Sequence, residues 1–443
     1  MSRNKVYIKT WGCQMNTYDS TKLSHYINKE LNFAIVTIAK HANIFILNTC
    51  SIREKAQEKL FHQLGRWKIF KQNNPNIIIC VGGCVAAQEG EKIFKRASYV
   101  DIIFGPQTIH RLPKMIQDVY NFKKKLIDIS FPKTEKFNYL PVIKTTQHTS
   151  YVTIIEGCNK YCTYCIVPFT RGKEISRPYK DILLEIQQLI IQGIKEIHLL
   201  GQNVNSYKYI DIDNNIITFD KLLIMISNIK GIYRIRYTTS NPQDFTQGLI
   251  NVYGKIPQLV NFLHLPVQSG SEKILSLMKR RYSLTQYKNI IYQLKKIRPN
   301  IHISSDFIVG FPGETQEDFN QTIQLILDMD IDMSYSFIYS ARPGTIASKM
   351  VDNVSLQEKK RRLYILQDYI QQQTKKFSSY MLHSIQTVLV EGISKHNQFF
   401  FGKTENNRIV FFKSTYNCVG KIVKVYINNF YLYTLYATFV SMH

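Results

Sequence analysis

Three cysteines, Cys158, Cys162 and Cys165, stand within the nine residues Gly157–Cys165, spaced C-x3-C-x2-C. No other feature of the chain restricts its chemistry so much. Three thiolates this close in sequence suit three irons of an iron–sulfur cube. No nearby Cys or His completes the set, so the fourth iron stays open, as the fourth position does in catalytic zinc sites. The competing readings are a zinc knuckle, with His148 as the remaining ligand, and a structural disulfide. Ligand count favours the cluster.

A chain of 443 residues suggests two or three domains, and 44% hydrophobic residues supply a core. No signal peptide precedes the alternating Lys5–Lys9, and no apolar run reaches the roughly 18 residues of a membrane span. A cytoplasmic location with no membrane attachment is expected. The eight cysteines should then stay reduced, which favours metal binding over disulfides. The 57 Lys and Arg against 32 Asp and Glu give a net charge of +25. That is the electrostatic footprint of a polyanionic partner such as nucleic acid. A general bias toward Lys, Asn and Ile would produce part of the same charge.

Lys5–Lys9, Asn43–Asn48, Pro75–Val81 and Asp101–Phe104 read as strands, with helices over Thr17–Glu30 and Ile52–Lys71. This alternation predicts an N-terminal doubly wound parallel sheet. Cys13, Cys50 and Cys84 each follow a strand's carboxyl end, where such sheets form their ligand crevice. They could meet there as a second three-thiolate site, or serve as three buried structural residues. Cys80, inside its strand, reads as core. Lys123–Lys144 reads as a linker.

Strands then recur at Tyr151–Ile155, Glu196–Leu200, Tyr233–Thr238, Phe262–Leu265, His302–Val309 and Met333–Tyr339. Helices fit at Tyr179–Gln192, Phe219–Asn228, Thr285–Ile297 and Thr315–Leu327. Six strand–helix units predict a central partial barrel with its active site at the strands' carboxyl ends. Ser355-Leu356-Gln357-Glu358 is a capping-box pattern opening a helix to Phe377. Ile385–Glu391, Phe399–Thr404, Arg408–Phe412 and Lys421–Asn428 read as short strands of a C-terminal small β-barrel. Phe399, Phe400, Phe401 and Tyr416 could stack on bases, although core packing suits most of them better. Cys418 reads as structural. The cations of Arg171–Arg177 and Lys279-Arg280-Arg281 could meet RNA phosphates or simply face water.

The chain resembles the tRNA methylthiotransferases of the radical S-adenosylmethionine (SAM) superfamily. The likeness is to the branch that 2-methylthiolates N6-dimethylallyl(isopentenyl)adenosine next to the anticodon. Tyr164 before the last close cysteine resembles the superfamily signature. The matching stretches are Trp11–Asn16, Asn48–Arg53, Gly82–Ala86, Glu156–Arg177, Leu200–Tyr207, His264–Gly270 and Asp306–Glu314. The C-terminal region resembles the TRAM domain, an RNA-binding module. The resemblance implies domains at 3–120 (methylthiotransferase), 144–375 (radical SAM core) and 378–441 (TRAM).

It implies that Cys158, Cys162 and Cys165 hold the radical SAM 4Fe-4S cluster, and that Cys13, Cys50 and Cys84 hold an auxiliary 4Fe-4S cluster that carries sulfur. Gly201, Gln202, Asp306 and Gly310 would line the SAM site, and Arg171, Lys173 and Arg177 would meet RNA. Two SAM molecules are implied: one methylates a cluster sulfur, and the other yields the radical that removes hydrogen from carbon 2 of the adenine. The implied partners are tRNA, an electron donor and a sulfur donor, with the chain acting as a monomer. Relatives act instead on threonylcarbamoyladenosine or on a ribosomal-protein aspartate. A non-catalytic RNA-binding protein with structural metal is the alternative from another class.

Overall fold

The computed structural model describes residues 4–51, 56–132, 137, 147–394 and 399–443. It divides into two compact units. The first is Met1–Lys144, Ile155–Asn159 and Cys165–Arg177; the second is Thr145–Ile154, Lys160–Tyr164 and Pro178–His443. The loop of the three close cysteines therefore contributes to both.

In the first unit, β1 (Lys5–Thr10), β2 (Ala34–Val36), β3 (Ile44–Thr49), β4 (Ile78–Gly83), β5 (Ile102–Phe104) and β6 (Leu126–Asp128) form one sheet. The order is β2-β1-β3-β4-β5-β6, parallel throughout. Its helices are α1 (Gln14–Leu31), α2 (Ala56–Asn73), α3 (Cys84–Glu89), α4 (Lys92–Arg96) and α5 (Leu112–Phe122). Successive strand residues face opposite sides. Ile44 and Ile46 pack with α1 and α5, while Phe45 and Leu47 pack with α2. Both faces are covered, as a doubly wound sheet requires. Cys80 is buried in the first of these cores, as expected. The supposed linker contributes β6, the edge strand; its remainder at 133–136 and 138–144, and the expected helix start at 52–55, lie outside the described residues.

β7 (Thr149–Thr153) opens the second unit. The ribbon of β8 (Ile155–Glu156) and β9 (Ile175–Ser176), with α6 (Val167–Thr170) between them, belongs to the first. The second unit continues through α7 (Tyr179–Ile191), β10 (Glu196–Leu200), the hairpin β11 (Lys208–Ile210) and β12 (Ile216–Thr218), α8 (Phe219–Ser227), β13 (Arg234–Tyr237) and α9 (Gln247–Lys255). Next come β14 (Phe262–His264), α10 (Glu272–Leu277), α11 (Leu284–Ile297), β15 (His302–Val309), α12 (Gln316–Asp328) and β16 (Ile331–Ile338). Parallel sheets β13-β10-β7 and β14-β15-β16 are joined by a bridge from Ile235 to Leu259. Six parallel strands with intervening helices make the partial barrel.

The long helix α13 (Leu356–Ser379) follows. Ser355 accepts the Glu358 amide (3.2 Å), but the Glu358 carboxylate pairs with Arg361 and Arg362. The capping box is thus half formed. β17 (Ile385–Ile393), β18 (Phe400–Thr404), β19 (Ile409–Lys413), β20 (Ile422–Tyr431) and β21 (Thr434–Met442) close into a barrel ordered β17-β18-β19-β21-β20. Four strands were expected; the fifth, β21, closes the ring between β19 and β20. Phe400 and Cys418 lie in its core, whereas Tyr416 is exposed.

This small barrel seals the amino end of the larger one. Arg234 donates to Lys403 O (2.9 Å) and Thr387 O (2.8 Å), and Arg236 donates to Glu405 O (3.2 Å). Arg408 and Asp332, both fully buried, pair at 2.5 Å. His302 Nδ1 lies 2.6 Å from the other Asp332 oxygen.

Candidate metal centres and cofactor site

β1, β3 and β4 end side by side, with Thr10 opposite Asn48, and Asn48 and Thr49 opposite Gly82 and Gly83. Strand order reverses at β1, so these ends border the switch point where open sheets bind ligands. Cys13 caps the start of α1, Cys50 follows β3, and Cys84 opens α3. Two glycines permit the close approach. Gly12 has φ +131°, and a Cβ there would lie 2.3 Å from Cys50 Cβ. Gly83 has φ +89°, and its Cβ would lie 2.3 Å from Thr49 O. Neither position admits a side chain.

A pair of buried asparagines braces the nest. Asn16 Nδ2 donates to Asn48 Oδ1 (3.1 Å) and Thr49 O (3.0 Å). Asn48 Nδ2 donates to Asn16 O (3.0 Å) and Ser20 Oγ (2.9 Å), and the Cys13 thiol reaches Asn16 Oδ1 at 3.2 Å. Sequence reasoning passed over this brace, although both residues lie in the quoted motifs; nothing in their spacing marks them as partners.

Cys13 keeps solvent access, while Cys50 and Cys84 are buried. A hydrogen bond with Cys50 lowers the Cys13 pKa to about 6, assisted by Arg171 and the amides of Asn16 and Met15, against desolvation. Burial raises Cys84, with Arg171 pulling the other way. Among the described residues, no three His, Cys, Asp or Glu side chains are already arranged around a metal position. The fold brings together the backbones that carry three soft donors, one of them tuned toward thiolate. That donor set fits an iron–sulfur cluster.

The C-x3-C-x2-C loop is anchored within each unit. In the first, Cys158 N donates to Gly172 O (3.2 Å) and Glu174 N to Asn159 Oδ1 (3.1 Å). In the second, Thr163 N donates to Met278 O (3.0 Å), its hydroxyl to Leu277 O (2.9 Å), and Ala347 N to Thr163 O (2.8 Å). Lys160 pairs with Asp244 at 2.7 Å. Arg280 places Nη1 3.8 Å from Cys162 Sγ and donates to Pro266 O at 2.7 Å. The expectation that Arg280 faces RNA or water is thereby corrected: it is turned toward the Cys162 sulfur.

Gly201 and Gln202 follow β10 and are half-buried. Asp306 lies within β15 rather than at its end. Its Oδ1 is 3.4 Å from His264 Nε2 and makes no hydrogen bond. Gly310 follows β15, and its amide is taken by Glu314 Oε2 (2.6 Å). Of the three cations expected to meet RNA, only Lys173 is exposed. Arg171 and Arg177 are buried, at 3% and 4% exposure, which corrects the expectation for both. Buried guanidiniums reach no phosphate.

Residues 5–105 match the Uncharacterized protein family UPF0004, residues 152–326 the Radical SAM superfamily, and residues 381–440 the TRAM domain. A tRNA-2-methylthio-N(6)-dimethylallyladenosine synthase of Buchnera aphidicola subsp. Baizongia pistaciae is 59% identical over 426 residues, 96% of either chain. The enzyme of the same name from Pectobacterium atrosepticum is 56% identical over 432 residues, covering 97% of this chain and 91% of its own. The chain belongs to the tRNA-2-methylthio-N(6)-dimethylallyladenosine synthase family. A fold similar to this synthase-family chain occurs in a radical S-adenosylmethionine methyltransferase from Kitasatospora setae, solved with tryptophan substrate and a SAM analog. The TM-score is 0.59 at 13% identity, over 78% of this chain and 75% of that one.

Proposed function

We propose that the chain transfers a methylthio group to carbon 2 of N6-dimethylallyladenosine next to the anticodon of tRNA. We propose further that it uses S-adenosylmethionine and two 4Fe-4S clusters, one at Cys158, Cys162 and Cys165 and one at Cys13, Cys50 and Cys84. The observation that carries this reading is the identity of 59% along 96% of a relative bearing that activity in its name. Bound cofactors would supply the radical and methyl chemistry; the chain supplies position, charge and exclusion of water. Thr163 and Lys160 hold Cys162 in place, and Arg280 sets a cation beside its sulfur. The Asn16–Asn48 brace fixes the strand ends that present Cys13 and Cys50. Gly201, Gln202 and Gly310 follow strand carboxyl ends, where SAM would be held, and Asp306 lies within β15. The exposed Lys173 and the C-terminal barrel suit the tRNA backbone.

The test uses anaerobically reconstituted protein with SAM, a strong reductant, a sulfur source and dimethylallylated tRNA lacking the methylthio group. Digested nucleosides are weighed. The methylthio product should appear and should vanish with Cys158→Ala and with Cys50→Ala. Formation of 5′-deoxyadenosine with unchanged tRNA would sink the substrate assignment. Neither product from protein holding both clusters would sink catalysis itself.

A further inference from the structure

Arg171 is buried at 3% exposure in the first unit, and it stands beside the Cys13–Cys50–Cys84 nest. It follows α6, shortly after Cys165 in the chain. Its carbonyl is held by Gln107 Nε2 (2.9 Å). Its Nη2 pairs with Asp19 Oδ2 (2.8 Å), which lies on α1, the helix that Cys13 caps. Its Nη1 stands 3.8 Å from Glu156 Oε1, too far for a hydrogen bond, and the guanidinium makes a side-chain hydrogen bond with Cys84. Glu156 ends β8, two residues before Cys158. The guanidinium also acts on both Cys84 and Cys13, and Arg177 is buried nearby.

An ion pair with Asp19 alone would not explain this placement. A buried cation is costly unless its charge and donors are used, and here the guanidinium is directed at a cysteine sulfur of the nest as well as at Asp19. Three thiolates holding a cluster would bring negative charge and sulfur acceptors to this guanidinium, which already acts on Cys84 and Cys13. Net charge and hydrogen bonds to sulfur are the main means by which a protein sets a cluster's potential.

We infer that Arg171 is a positioning residue for the auxiliary site: the buried cation that balances the cluster held by Cys13, Cys50 and Cys84 and raises its reduction potential. This rests on the proposed reading of those cysteines as cluster ligands. Asp19 sets the strength of the effect by holding one edge of the guanidinium.

The experiment uses the full chain with Cys158, Cys162 and Cys165 all changed to Ala, so that only the auxiliary cluster remains. Iron content and the midpoint potential, by redox titration followed in EPR, are measured in this parent and in Arg171→Gln, Arg171→Lys and Asp19→Asn on top of it. Loss of the cation in Arg171→Gln should move the potential negative. Loss of the carboxylate in Asp19→Asn should move it positive, and Arg171→Lys should stay near the parent. A general loosening of the fold would move both charge variants the same way. Equal potentials in all variants, or shifts of one sign, overturn the inference. If Arg171→Gln does not fold, the positive shift of Asp19→Asn decides. A parent that binds no iron refutes the auxiliary-cluster reading and this one with it; a parent cluster indifferent to these charges refutes this one alone.

Discussion

His198, on β10, packs beside the Tyr151 ring (centroids 5.5 Å apart) and is buried. Burial pushes its pKa down to about 3; Arg236, Lys403 and His264 act the same way, and Glu196 opposes them. An unfolded chain would bind a proton at this residue below about pH 6.5. The folded chain refuses it until about pH 3. The contribution to stability is therefore full above pH 6.5 and is lost as pH falls toward 3, by at most ~1.4 kcal/mol per pH unit. Urea unfolding at pH 7 and pH 5 should show a smaller loss for His198→Gln than for the parent; equal losses would refute this. At this scale the sequence singled out the six cysteines proposed as ligands, because thiols at strand ends or at tight spacing have few other uses. It hid Arg171 and Arg280. Basic residues near a motif look alike from the sequence, whether they face RNA or a thiol. The partner that turns Arg171 inward, Asp19, lies 152 positions away.

At the scale of elements, Gly83 is the turn on which the nest depends. Gly83→Ala would thrust a Cβ against the carbonyl of Thr49 and force the ends of β3 and β4 apart. The expected outcome is about half the parent's iron, with reductive cleavage of SAM retained, because only one of the two proposed clusters would be lost. Iron analysis and 5′-deoxyadenosine assay check both parts. The Arg408–Asp332 pair is the corresponding element joint at the barrel floor. Arg408→Met leaves a buried carboxylate without its main partner and should cost about 3–5 kcal/mol. Adding Asp332→Asn should recover part of that loss in thermal melts. The strands of both large sheets were legible because burial on one or both faces writes long apolar runs. β2 and β6 were not: both are short strands at the sheet's edges, and β6 lies inside a Lys-rich stretch. Helix α1 starts three residues earlier than expected, at Gln14, because Cys13 rather than a usual Ser, Thr, Asp or Asn occupies the cap.

For the whole molecule, a charge of +25 predicts tRNA binding that weakens steeply with salt. The logarithm of the affinity should fall linearly with that of salt concentration, by about 0.7–0.9 per phosphate contacted. Lys173→Gln should reduce that slope by about one contact, as measured by filter binding; an unchanged slope would remove Lys173 from the interface. The sequence conveyed the sign of this charge but not its distribution, since many cations are spent on interior carboxylates such as Asp19, Glu196 and Asp332.

The two cysteine triplets differ in one further respect, which concerns time. Cys158, Cys162 and Cys165 are neighbours in any conformation of the chain. Cys13, Cys50 and Cys84 become neighbours only after β1, β3 and β4 have paired in parallel, a non-local and intrinsically slow step. If both triplets take clusters as proposed, iron delivered to a newly made chain would be captured at the first at once, whereas the second would wait for the sheet. On that reading maturation would acquire a fixed order, with the later site filling only once the amino-terminal half has folded.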